Sequence, residues 1–238
     1  MERLANVAEL LDGPLGEPAV LDGNLRDLRR VNRILGGIAL SRQALDILAP
    51  NGANPAGEPV DLLDVGTGGA DIPVALLADW RRRGRHLRVT ASDDRLEILT
   101  AARRTRPALD RIADLRLEVA DGRSLPYPDG AFDVAHASLV LHHLEPADAI
   151  GLLREMARVA RRGVIVNDLA RGRLTWLGAW LLGHLATTNP WSRNDAPLSA
   201  RRAYTRPEVE RLLAAAGLRP IWWRSALLRH RFAVVAVP

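Results

Sequence analysis

The stretch from Val60 to Pro73 constrains the fold of this chain more than any other. An apolar run, Val60-Asp61-Leu62-Leu63-Asp64-Val65, gives way to Gly66-Thr67-Gly68-Gly69-Ala70-Asp71, and a helical pattern follows through Leu76, Leu77 and Trp80. This is a strand, a tight turn and a helix. Glycines at such a junction let the backbone take positive φ and let a ligand approach main-chain atoms with no Cβ in the way. A dinucleotide turn of the form G-x-G-x-x-G rests its pyrophosphate on the helix N-terminus. Here the third glycine position holds Asp71, whose carboxylate repels a pyrophosphate and stabilises the helix start in its place. The pattern therefore disfavours a nicotinamide or flavin oxidoreductase and suits a ligand without phosphate.

Leu62 to Asp71 resembles the first motif of the class I S-adenosylmethionine (SAM)-dependent methyltransferases, with Ala70 where the family often has a third glycine. The resemblance implies that Gly66, Thr67, Gly68 and Gly69 floor the methionine portion of SAM, with Asp64 or Asp71 near its ammonium. S-adenosylhomocysteine would be the product. Leu87 to Ser92 reads as the second strand and ends on Asp93-Asp94. A carboxylate there accepts both hydroxyls of a ribose, a role given to Asp93, while Asp94 caps the next helix beside it. Leu115 to Val119 alternates as a third strand and leads to Asp121-Gly122, where the resembling family meets the adenine amino group. Pro126 to Leu144, which includes Ser138, resembles the small-molecule branch of the family, among it relatives that methylate quinone precursors. The chain has no Asn-Pro-Pro-Tyr or Asp-Pro-Pro-Tyr at this point, which argues against nucleobase amino methylation.

The net charge is +5, every basic side chain is arginine, and cysteine is absent. Absence of cysteine excludes disulfides, thiolate metal sites and a thiol nucleophile. Arginine-rich runs, Arg81-Arg82-Arg83-Gly84-Arg85 and Arg103-Arg104, read as solvated helix ends, so a nucleic-acid partner is not expected. The N-terminus opens no secretory signal and no apolar stretch is long enough for a membrane span, so the expectation is cytoplasmic.

Residues 5–11 suggest a short helix. Leu25, Leu28, Val31, Ile34 and Leu35 repeat at helical spacing, Gly36-Gly37 interrupts, and a second helix runs from about Ile38 to Leu48. These helices form an expected N-terminal cap over residues 1–50, and the Pro- and Gly-rich residues 50–59 read as a linker. Arg33 is the cation available to the SAM carboxylate. His142 and His143 follow the fourth strand, Phe132 to Ala137. As catalytic groups they would take a proton from a hydroxyl during methyl transfer; as structural ones they would cap the following helix. Paired histidines alone do not make a metal site, and no metal is expected. Arg162 to Asp168 reads as the fifth strand, with Asn167 and Asp168 at its carboxyl end on the substrate side.

Beyond it, Leu174 to Leu185 is apolar nearly all round yet short for a bilayer. It reads as a substrate lid carrying Trp176 and Trp180, as a homodimer contact or as core. Residues 187–203 read as polar and irregular, with Arg202 and Tyr204 placed toward the substrate. Leu218 to Trp223 and Phe232 to Val237 read as the last two strands. The expected architecture is α/β: a Rossmann-like, seven-stranded, mostly parallel sheet with helices on both faces, residues 60–238, carrying an apolar helical insertion over 171–204 after the fifth strand. The expected activity is methyl transfer from SAM to a small aromatic or lipophilic acceptor such as a phenol or quinone-like ring, on oxygen or carbon. An RNA methyltransferase and a non-catalytic SAM-binding protein remain as alternatives.

Overall fold

A computed structural model describes residues 1–50 and 58–238, so most of the expected linker lies outside the described residues. Seven strands, β1 (Val60–Val65), β2 (Leu87–Asp93), β3 (Leu115–Val119), β4 (Phe132–Ser138), β5 (Ala160–Leu169), β6 (Arg219–Ser225) and β7 (Arg231–Val237), form one sheet in the order β3-β2-β1-β4-β5-β7-β6. The first five pair in parallel, and β7 runs antiparallel to both β5 and β6. Helices α1 (Pro18–Ile34) and α2 (Gly37–Leu48) precede the sheet, α3 (Asp71–Arg82), α4 (Leu96–Thr105) and α5 (Pro146–Val159) connect its strands, and α6 (Arg173–Leu185), α7 (Pro190–Arg202) and α8 (Arg206–Ala215) stand between β5 and β6.

Strand side chains alternate between two cores. Leu63, Val65, Ala135, Val164, Val166 and Val234 pack toward Leu152, Leu153 and Met156 of α5 and Leu213 of α8. Leu62, Val134, Ile165 and Val235 pack toward Leu45 of α2 and Leu76 and Trp80 of α3. The inner strands β1, β4, β5 and β7 are thus buried on both faces, while the edge strands β3 and β6 stay partly exposed. Strand order reverses between β1 and β4, so the loops at their carboxyl ends diverge and leave a crevice there.

Three elements differ from the sequence expectation. The helix expected at residues 5–11 is an irregular arm with a single 3-10 turn at Leu10–Asp12. Its backbone is satisfied from elsewhere: Leu4 N–H donates to the Arg201 carbonyl, and the amides of Leu10 and Leu11 donate to the two carboxylate oxygens of Asp195. Helix α2, expected as part of the cap, packs against β5 and β7 as part of a sheet layer. The irregular stretch expected at 187–203 is α7, started by the Asn189 side chain, which accepts from the amides of Trp191 and Ser192, with Pro190 in the first turn. Among the described residues no helix is long and apolar enough to cross a membrane.

Candidate functional site

The crevice opens into a cavity of about 740 Å³, within the range of small-molecule sites, roughly 300–1,000 Å³. Its floor is the glycine turn. Gly66 has φ +66°, and a Cβ there would meet Val140 Cγ2 at 2.5 Å. Gly68 has φ +55° with open space above it, so a ligand reaches the main chain there. Ala70 also holds a left-handed conformation, φ +53°, as the last residue before α3.

Carboxylates line the cavity wall at the carboxyl ends of β1, β2 and β3. Asp93 is buried; its Oδ2 accepts from Gly68 N–H (3.0 Å) and its Oδ1 from Arg95 N–H (3.3 Å). Burial pushes its pKa up to about 6 against these two amides. Asp94 stands beside it in the wall. Asp121 is half-exposed and is held by Arg123, whose guanidinium donates to both of its oxygens (3.0 Å each) and lowers its pKa. Gly122 lies where a Cβ would meet Val65 Cγ1 at 2.6 Å and Leu152 Cδ1 at 2.7 Å. Asp71, in the first turn of α3, has its pKa raised by burial, and its Oδ2, like Thr67 Oγ1, is buried with no hydrogen-bond partner. Such orphaned atoms in a cavity wall want a donor, and the ammonium of SAM is one. The residues present therefore fit this cofactor.

The opposite end is walled by Leu28 and Val31 of α1 and by Leu174, Leu177, Leu181 and Leu182 of α6, and is closed by His142 and His143. Both histidines sit on a 3-10 turn after β4, preceded by Leu139 at φ +57°. His142 is buried, with Nδ1 2.6 Å from Asp168 Oδ1 at the end of β5. His143 Nδ1 lies 2.7 Å from Asp12 Oδ1. Burial disfavours its charged form, but Glu9 and Asp12 outweigh burial and push its pKa up to about 9.

Several residues expected at the site stand outside the cavity lining. Asp64 shares the strand face of Leu62, and its Oδ1 meets His136 Nδ1 at 2.5 Å in the layer beneath α2. Asn167 is on the same face: it donates to the Gly37 carbonyl and Ser41 Oγ and accepts from Arg231 Nε (2.6 Å). Arg33 is exposed on the far side of α1. A buried cation near this part of the site is Arg231, which donates to Ser138 Oγ (2.7 Å) and Asn32 Oδ1 (2.6 Å), both cavity residues. Trp176 and Trp180 point away from the cavity because helical spacing gives its lining to Leu174, Leu177 and Leu181; Trp180 stacks on His184 instead. Arg202 and Tyr204 act from behind: Arg202 donates to the carbonyls of His142 (3.1 Å), His143 (2.5 Å) and Val7, and Tyr204 to that of Leu144 (2.8 Å). Sequence reasoning missed Glu9, Asp12, Asp195 and Arg231. For Arg231 the signal was present, since it has the strand parity of Ala233 and Val235.

Residues 63–166 match the family model of a methyltransferase domain. Ubiquinone/menaquinone biosynthesis C-methyltransferase UbiE of Rickettsia akari (strain Hartford) is 38% identical over 72 residues, 30% of this chain and 29% of that protein. Ajmaline N-methyltransferase of Rauvolfia serpentina is 30% identical over 119 residues, 49% of this chain and 38% of that protein. The matches thus span well under half the length of these relatives. A SAM-dependent methyltransferase from Aquifex aeolicus has the same fold (TM-score 0.62, 19% identity, 93% of this chain and 98% of that one). So does human N-acetylserotonin methyltransferase in complex with SAM (TM-score 0.66, 15% identity, 93% and 56%). Residues 63–166 thus resemble a methyltransferase domain, and the fold is the one these SAM-dependent methyltransferase structures share.

Proposed function

We propose that this protein transfers the methyl group of SAM to a small aromatic or lipophilic acceptor, a phenol or quinone-like ring. The observation that carries this reading is the single cavity that runs from the glycine turn to a leucine-walled end closed by two histidines. Small aromatic acceptors match walls of this kind, in which apolar side chains supply area and a few polar groups fix orientation. The similarity to UbiE-type C-methyltransferases supports a ring acceptor.

In this reading SAM supplies an electrophilic methyl on a sulfonium leaving group. The residues of the chain bind and orient. Asp93 accepts the two ribose hydroxyls, Asp121 the adenine amino group, and Asp71 with Thr67 the ammonium. Gly66, Gly68 and Gly69 let the backbone approach the methionine portion. Leu177 and Leu181 exclude water and press the acceptor ring toward the glycine turn, and His142 and His143 hold its polar edge. Positioning of this kind is the main contribution a protein makes to an in-line displacement.

The test is calorimetric titration with SAM and S-adenosylhomocysteine, then incubation with methyl-labelled SAM and a panel of phenols, hydroquinones and their alkylated forms. Binding of both nucleosides and transfer of label to a ring acceptor is the expected result. Binding without transfer to any acceptor would return the protein to a non-catalytic SAM-binding role, and no binding would sink the reading.

A further inference from the structure

Beyond the methyl-transfer site itself, a second chemistry is assembled at the histidine end of the cavity. Glu9 on the N-terminal arm meets the histidine pair, with His142 Nε2 3.7 Å from Glu9 Oε1 and His143 Nε2 3.9 Å from Glu9 Oε2. One donor atom from each of the three side chains lies within 4.8 Å of the others. We propose that Glu9, His142 and His143 bind a divalent first-row transition-metal ion whose open positions face the acceptor end of the cavity.

Four observations converge on this. The first is orientation. Each imidazole has its Nδ1 against a carboxylate, Asp168 for His142 at 2.6 Å and Asp12 for His143 at 2.7 Å, which turns both Nε2 atoms toward Glu9. Metal-ligating histidines characteristically carry a carboxylate on the ring nitrogen that does not bind. The second is an unpartnered acceptor: Glu9 is 4% exposed, and its Oε1 is buried with no hydrogen-bond partner. The third is charge. Glu9, Asp12 and Asp168 bring three carboxylates around two imidazoles, with Arg202 3.7 Å from Asp12 and the buried Arg231 acting on Asp168. A divalent ion would take the place of the His143 imidazolium proton among these carboxylates. The fourth is pre-organisation: Asp195 holds the amides of Leu10 and Leu11, and Arg202 holds the carbonyls of Val7, His142 and His143. The arm and the histidine turn are thereby fixed to one another.

Bonds of roughly 2.0–2.2 Å to nitrogen and oxygen bring the ligand atoms of such an ion to about 3–3.5 Å from one another. The present spacings, up to 4.8 Å, close to that by side-chain movement. Two histidines and one carboxylate with open positions suit iron, manganese, cobalt or zinc rather than calcium. Glu9, Asp12, His142 and His143 all line the cavity, so an acceptor oxygen or water completes the coordination.

The test uses the full chain, stripped with a chelator and titrated with Co²⁺ alone, without SAM. The expected result is visible d–d absorption that saturates at one equivalent and is displaced by Zn²⁺. Glu9→Gln and His143→Gln should each weaken Co²⁺ binding, and Asp168→Asn should weaken it roughly ten-fold or more through the outer carboxylate. Circular dichroism and SAM calorimetry on the same samples report folding and the cofactor site. Absence of the bands at millimolar Co²⁺ in a folded wild type would overturn the proposal, as would bands left unchanged in both Glu9→Gln and His143→Gln. Bands in a wild type that does not bind SAM would uphold the metal site and overturn the methyl-transfer reading instead.

Discussion

Asp93 is the residue on which the cofactor reading is most exposed to measurement. It was legible in the sequence because the end of the second strand is a fixed place in the fold and a carboxylate has the acceptors two hydroxyls need. Its titration was not legible, since that depends on burial by residues distant in sequence. Burial pushes its pKa up to about 6, while two ribose hydroxyls donate more strongly, and to both oxygens, when the carboxylate is ionised. Affinity for SAM should therefore be full above pH 7 and fall as pH drops through about 6, with Asp94 and Arg95 the charged groups acting on it. Calorimetry across pH 5–8 checks this. Asp93→Asn should weaken SAM roughly ten-fold or more at pH 7.5, since hydrogen bonds to a charged group are worth about 1.5–3 kcal/mol, and should abolish the step near pH 6. A step that persists in the variant assigns it to another group. Arg231 poses the opposite case. It is fully buried, with its pKa pushed down to about 10 by burial against the pull of Asp168 and Asp71. Arg231→Met would leave the oxygens of Asn32, Asn167 and Ser138 without their donor, so urea denaturation should register a loss of about 3–5 kcal/mol.

At the scale of elements, the strands and the α3–α5 connections were readable because their periods of 2 and 3.6 are written locally. The α6–α7 pair was readable only in part. A 13-residue helix apolar nearly all round must meet something, but the face it presents to the cavity depends on how α7 packs across it. Helix α7 itself was hidden by its composition: Pro190, Asn194, Asp195 and Pro197 are residues of turns, and the helix is held by the Asn189 cap and by contacts from the arm. Substitutions on α6 separate its two faces experimentally. Leu177→Gln and Leu181→Gln place amides in the acceptor wall and should raise the acceptor KM several-fold, about 1–3 kcal/mol of lost apolar contact at most, with SAM affinity unchanged. Trp180→Gln changes the face that stacks on His184 and should leave the acceptor KM as it was. Equal effects from both faces would show that α6 acts through folding and not as a wall.

For the whole molecule, the question is whether a net charge of +5 makes a surface for nucleic acid. The sequence shows the arginines but not their partners, which lie far along the chain. Arg104 meets Asp22, 82 residues away, and Arg83 meets Asp46, 37 residues away. Asp46 also takes Arg85, Asp79 takes both Arg82 and Arg83, and Asp110 takes Arg103. The two runs that would have lined a groove are thus largely spent on carboxylates of neighbouring elements, where each exposed pair contributes about 0–1 kcal/mol and is screened by salt. Affinity for phosphate backbones comes from cations free to release counterions, and its logarithm falls with that of salt in proportion to their number. A structured RNA should accordingly bind no tighter than the non-specific range, roughly 10⁻⁴–10⁻⁶ M at physiological salt, with a shallow salt slope. Filter binding between 50 and 200 mM salt, concentrations across which a protein with 6–10 phosphate contacts loses about 10³–10⁵ in affinity, distinguishes the cases. Nanomolar binding with that steep dependence would mean that the ion pairs open for RNA, and would move the acceptor from a small ring to a nucleic acid.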